Sequence, residues 1–179
     1  LSELSDYKGA LGVNILPNNF AEAFYLSDEY GADFIQLDYI AGDYANCELF
    51  DLASYLSFIG KYPSIKVLGG VWPKYYKPNR GSVLAHDLFL GKNRADAIVV
   101  TGEGTGKETP IDKIKQFRHI IGRHPLIIGA GLDASNVAEQ LPLSDGAIVG
   151  SCFKPYKRTT EMIDRNLVRE FMDEVKKIR

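Results

Sequence analysis

The chain of 179 residues is poor in the residues that most often organise a site by themselves: two cysteines, one tryptophan, three histidines. Cys47 and Cys152 stand far apart, neither in a C-x-x-C or Cys/His cluster, which argues against a disulfide framework and a structural zinc. His86, His119 and His124 match no metal-ligand spacing, and no Ser-His-Asp assembly follows from their positions. No apolar run approaches the roughly 20 residues that cross a bilayer, so no integral membrane segment is expected. The opening LSELSDYKG lacks the basic-then-apolar pattern of a secretory signal. Basic charge is not in excess either, with 21 Lys and Arg against 23 Asp and Glu, and nucleic acid is not an expected partner. A reducing cytoplasm is the expected setting. The first residue is Leu rather than Met, as in a piece trimmed from a longer chain.

What is present is a globular composition, 45% hydrophobic and 25% charged, of a length suited to a single domain over residues 1–179. Apolar runs at Ala10–Leu16, Asp33–Ile40, Ser64–Val71, Ala95–Thr101, Leu126–Ile128 and Ala147–Val149 read as six strands. Helical patterns lie between them. Asn18 or Asn19 caps the first helix, with Phe20, Ala23 and Phe24 on one face and Gly31 at its end. The second runs from Leu49 to Ile59 and stops at Gly60, and the third covers about Ser82 to Leu90. Thr109 caps the fourth, with Pro110 as its first residue and Gly122 after its last. An amphipathic helix from about Ile163 to Ile178 closes the chain beside Lys176, Lys177 and Arg179. Such alternation predicts an α/β fold of parallel βα repeats, with its ligand site at the C-terminal ends of the strands. A closed eight-unit barrel takes about 250 residues. Six units therefore imply an open sheet or a barrel that is incomplete or truncated.

Polar residues and glycines collect at those strand ends. Gly129, Gly131, Gly150 and Ser151 follow two successive strands and offer bare backbone N–H groups to a phosphate, with a dipole added by the short helix after Gly131. The aromatic and basic loop WPKYYKPNRGS supplies Lys74, and Trp72 there offers a stacking face. The glycine-rich GEGTGK supplies Glu103, Gly104, Thr105 and Lys107 after Thr101, without the spacing of a P-loop. Asn14, Gln36 and Asp38 interrupt apolar strands, and Gln36 shares a face with Asp38. A carboxylate so placed needs a donor, a cation or water. Asp38, Glu103 and Lys107 are thus the candidate catalytic groups, and Asn14, Gln36, Lys74, Thr101, Gly104 and Thr105 the candidate pocket. Cys152, beside the phosphate site, is a candidate for partial activation. No organic cofactor is expected, no residue cluster supports a divalent metal, and a homo-oligomer is expected if the sheet is open.

Taken together, LGVNIL (Leu11–Leu16), GADFIQLD (Gly31–Asp38), ADAIVVTGEGTGK (Ala95–Lys107) and PLIIGAGLDASNVAEQLPLSDGAIVGSCFK (Pro125–Lys154) resemble the BtpA family, named for a protein linked to photosystem I biogenesis. The resemblance implies a phosphate-binding TIM barrel whose first two βα units are not in this chain. It also implies two functional readings: acid–base isomerase, lyase or transferase chemistry on a small phosphorylated metabolite, or a non-catalytic assembly or regulatory role through protein contacts.

Overall fold

A computed structural model of the chain describes residues 6–45, 47 and 49–178. Asn46, in the second βα loop, and Arg179 lie outside them. Strands β1 (Gly12–Val13), β2 (Phe34–Leu37), β3 (Lys66–Gly70), β4 (Ala97–Val100), β5 (Leu126–Ile128) and β6 (Gly146–Ala147) alternate with helices α1 (Phe20–Tyr30), α2 (Leu52–Lys61), α3 (Leu84–Lys92), α4 (Ile111–Ile121) and α5 (Val137–Gln140). A last helix, α6 (Arg165–Lys176), follows two 3₁₀ turns. All pairings are parallel and the strand order is that of the sequence, from β1 to β6. Right-handed crossovers in sequential order put every helix on one face, as in the wall of a βα barrel. The wall is open among the described residues, because β1 and β6 are its two edges.

Strand alternation divides the wall into two faces. Val13, Ile35, Leu37, Val67, Ile98, Val100, Leu126 and Ile128 point under the helices and join Phe24, Tyr55, Leu88, Ile114, Phe117 and Ile121 in one core. Each such side chain contributes about 1.5–3 kcal/mol by leaving water. Helix ends follow local rules. The Asn19 side chain accepts the Glu22 N–H, Gly31 adopts φ 65°, and Asp51 and Asp164 cap α2 and α6.

The opposite end of the sheet carries a repeat that single-sequence patterns conceal. Asp33, Asp96 and Asp145 immediately precede or abut β2, β4 and β6, and each grips the strand before its own with two bonds. Their N–H groups donate to the carbonyls of Leu11, Val67 and Leu126 at 2.8, 2.9 and 2.9 Å. Their carboxylates accept the N–H groups of those same three residues at 2.8, 2.9 and 2.8 Å. Every second strand thus clamps its neighbour at the N-terminal edge.

Several expectations need correction. Gly60 lies inside α2, whose last turn continues to Lys61, and Leu49 precedes that helix as an exposed residue. Pro110 takes the cap position of α4, because the Thr109 hydroxyl is already committed to the Ala130 carbonyl at 2.9 Å. The last strand lies at Gly146–Ala147, and Ile148 beyond it is 40% exposed, since an edge strand has a neighbour on one side only. No described helix is long and apolar enough to cross a membrane.

Candidate functional site

The face turned away from the helices carries the chemistry. The registers align Gln36 with Leu68, Leu68 with Ala97, and Val99 with Ile127. Extending the same alternation puts Asn14, Gln36, Asp38 and Thr101 on this inner face, toward the C-terminal ends of their strands. Asn14 Nδ2 donates to Gln36 Oε1 at 2.6 Å and to the Gln36 carbonyl at 2.8 Å, joining two of the expected pocket residues. Asp38 is half-buried, and its Oδ2 accepts the Tyr76 hydroxyl at 3.0 Å, which supplies the donor an inward carboxylate requires. Burial, the Asp38 charge and that hydrogen bond push the Tyr76 phenol up to about 12. Gly70 lets the chains meet here, since a Cβ on it would lie 1.9 Å from the Asp38 carbonyl oxygen.

At the ends of β5 and β6 a cavity of about 180 Å³ is lined by Gly129–Leu132 and Ile148–Cys152. Lys74, Thr105, Gly106 and Lys157 complete it. All four expected phosphate residues are therefore brought together, with Lys74 and Thr105 beside them. The N–H groups of Gly131, Leu132, Gly150 and Ser151 enter no hydrogen bond among the described residues, whereas those of Gly129 and Ile148 belong to the ladder. Gly131 sits at φ 75°, and a Cβ there would meet the Lys107 carbonyl oxygen at 2.1 Å. The glycine-rich loop thus reaches the cradle through its backbone. Gly106 also faces Ser151 closely enough that an added Cβ would touch the Ser151 Cβ at 3.4 Å.

Two loops are tied together beside this cavity. Thr101 is buried, and its hydroxyl accepts the Lys74 N–H at 2.7 Å. The Tyr75 hydroxyl accepts the Thr105 N–H at 2.8 Å. Lys113, on α4, donates to the carbonyls of Trp72 and Thr101 at 2.9 and 2.8 Å, and burial pushes its ammonium down. Trp72 and Tyr75 adopt φ 48° and 70°, a left-handed conformation that non-glycine residues hold only under constraint. Lys74 also borders a second cavity of about 450 Å³, with Trp72, Tyr75, Tyr76, Glu103 and Lys113 in its walls. Glu103 is exposed there, and the exposed Lys107 runs alongside Gly104, which is buried.

The sequence reading missed Tyr76, Lys113, Asp133 and Lys157. Lys157 Nζ donates to Asp133 Oδ2 at 2.6 Å, and Asp133 Oδ1 accepts the Ser135 N–H and hydroxyl at 2.9 and 2.6 Å. Burial works to raise the Asp133 carboxyl, but the Lys157 and Ser135 hydrogen bonds outweigh it and hold it at about 2. Three attributions change. The helix after Gly131 starts at Val137 and has four residues, so it supplies only one turn of dipole, and that beyond the cradle in the chain. Instead Asn136 fixes the turn by donating to the Gly131 carbonyl at 3.0 Å. Burial pushes the Cys152 thiol up, the reverse of activation. Trp72 is half-buried with its indole N–H bonded to Asp87 Oδ2 at 2.8 Å, so its ring is part of the loop's support. Among the described residues, no three His, Cys, Asp or Glu side chains group as a metal site requires.

Known proteins bear on this arrangement. The chain is 31% identical over 176 residues to an uncharacterised protein of Thermococcus kodakarensis, covering 94% of this chain and 66% of that one. It is 23% identical over 171 residues to the photosystem I biogenesis protein BtpA of Synechocystis, covering 91% and 59%. The chain thus spans just under two thirds of the length of these curated relatives. In three dimensions it is similar to N-(5'-phosphoribosyl)anthranilate isomerase of Pyrococcus furiosus, with a TM-score of 0.67, 19% identity, and coverage of 99% of this chain and 78% of that one. That likeness establishes a TIM-barrel-type fold. The model of the BtpA family matches residues 4–177, and the chain belongs to that family.

Proposed function

We propose that the chain holds the phosphate of a small phosphorylated metabolite at the ends of β5 and β6 and acts on the far end of that molecule by acid–base chemistry. The observation that carries the reading is the set of uncommitted N–H groups at Gly131, Leu132, Gly150 and Ser151 around one cavity that Lys74 also lines. Backbone donors with a nearby cation are what a phosphate selects. The similarity to an isomerase named for a phosphoribosyl compound supports the same reading. Asp38 is the acid or base, held by Tyr76, with Asn14 and Gln36 beside it to orient hydroxyl groups. Three strand spacings separate β2 from β5, about 14 Å along the wall and less across its curve, the scale of a substituted sugar phosphate. Glu103 and Lys107, on the glycine-rich loop, assist from solvent. Isomerisation, aldol-type cleavage and group transfer that needs no organic cofactor all fit these groups.

The test is proton exchange. Aldose and ketose phosphates incubated with the chain in D₂O should lose the proton next to the carbonyl, followed by NMR, and inorganic phosphate should inhibit. Absence of both exchange and phosphate binding at millimolar concentration would contradict the proposal.

A second reading, assembly through protein contacts, is supported by the Synechocystis relative's name and by exposed apolar side chains in the segment after β6, with Tyr156, Met162 and Ile163 exposed by 87, 86 and 62%. A homo-oligomer would use the same segment. Changing Met162 and Ile163 to Glu should then abolish self-association in sedimentation while leaving phosphate binding intact.

A further inference from the structure

We propose that Lys157 makes the β5–β6 cavity selective for a doubly ionised phosphate monoester over singly charged groups of the same shape. The inference rests on the anion-site reading above and names the charge state of the group that site takes. Among the residues lining the cavity, Lys74 and Lys157 are the charged ones, and no carboxylate is in its wall. One cation and the uncommitted N–H groups suffice for a single negative charge. Asp133 balances the charge of Lys157, so what Lys157 adds is its remaining N–H donors and the positive end of the ion pair, and both interact more strongly with the doubly charged oxygens of a phosphate monoester at neutral pH than with a singly charged sulfate ester.

Lys157 is built into place. Its ammonium is anchored at 2.6 Å to Asp133, and Asp133 is itself fixed by two bonds from Ser135 and by its own N–H, which donates to Asn136 Oδ1 at 2.9 Å. Through Asn136 this knot is bonded to the Gly131 carbonyl, so the cation and the cradle turn are parts of one unit. The backbone also departs from its preferred conformation to present the side chain. Tyr156 and Lys157 are consecutive non-glycine residues at φ 55°, in a loop whose ends are closed by Lys154 Nζ donating to the Thr159 carbonyl at 2.6 Å. A lysine ammonium has three donors. With one given to Asp133, two remain for a ligand oxygen in the cavity.

The experiment compares two esters of one alcohol, glycerol 3-phosphate and glycerol 3-sulfate, by calorimetric titration into the full chain at pH 7.5. The unaltered protein should prefer the phosphate ester at least tenfold. Lys157→Met, made together with Asp133→Asn so that no unpaired carboxylate is left beside the site, should reduce that preference to threefold or less while weakening the sulfate ester by less than threefold, because the N–H cradle and Lys74 remain. Lys157→Arg, which restores the charge, should retain at least a fivefold preference. A Met variant that keeps the tenfold preference would overturn the proposal, as would an Arg variant that loses it as fully as Met does. Equal binding of both esters by the unaltered chain also overturns it but leaves the anion site standing. Binding of neither ester removes the anion-site reading itself.

Discussion

The two ends of the sheet use the same residue types for different work. At the N-terminal edge, Asp33, Asp96 and Asp145 each give a carboxylate oxygen and their N–H to one residue of the neighbouring strand, and Lys66 and Arg118 pair with Asp96 and Asp145 as well, so the polar groups there are consumed in registering strands. At the C-terminal edge, Asp38 receives one hydroxyl, four N–H groups around the cavity are uncommitted, and two lysines face the same space. A hydrogen bond already made inside the protein adds stability and is closed to a ligand, while one left open costs stability and can bind. The contrast divides stability from function along the strand axis, as parallel βα folds generally do.

The sharpest way to test that division is Asp38→Asn. It keeps an acceptor for Tyr76 but removes the acid–base group, so proton exchange should fall about a hundred- to a thousandfold with little change in the urea midpoint. Gly131→Ala blurs the division on purpose. A Cβ at φ 75° and 2.1 Å from a carbonyl oxygen should cost about 3 kcal/mol and should weaken phosphate binding with it, both readable by denaturation and titration. Asp96→Ala attacks the other end. It strands the Val67 N–H and should cost about 2 kcal/mol, leaving the phosphate affinity unchanged. The smallest effect is on acid stability. Because the folded-state Asp133 carboxyl sits at about 2 against 3.8, its contribution of about 2 kcal/mol is present above pH 4 and is lost as pH falls toward 2. Acid unfolding should therefore be shallower between pH 4 and 2 in Asp133→Asn.

Much of the functional edge was legible in the sequence, because glycines and stray polar residues at strand ends are local signals. Gly129, Gly131, Gly150, Ser151, Lys74 and Thr105 do share one cavity, and Leu126–Ile128 is a strand as read. The clamp residues were not legible. An aspartate before an apolar run reads as a loop residue until the neighbouring strand is known, and only the pairing of β1 with β2, β3 with β4 and β5 with β6 reveals the repeat. Lys157 was hidden for a related reason, since two consecutive left-handed non-glycine residues leave no compositional trace. Lys113 reads as an ordinary helix-surface charge, and its burial depends on where the Trp72 loop settles.

The most direct measurement of the central claim is the response of backbone amides to inorganic phosphate, followed by ¹⁵N–¹H NMR on the full chain. The account predicts saturable shifts at millimolar phosphate or below, centred on Gly131, Leu132, Gly150 and Ser151, with the N–H groups of Leu11, Val67 and Leu126 at the clamped end unmoved. Shifts centred elsewhere, or none at those four residues, would contradict it.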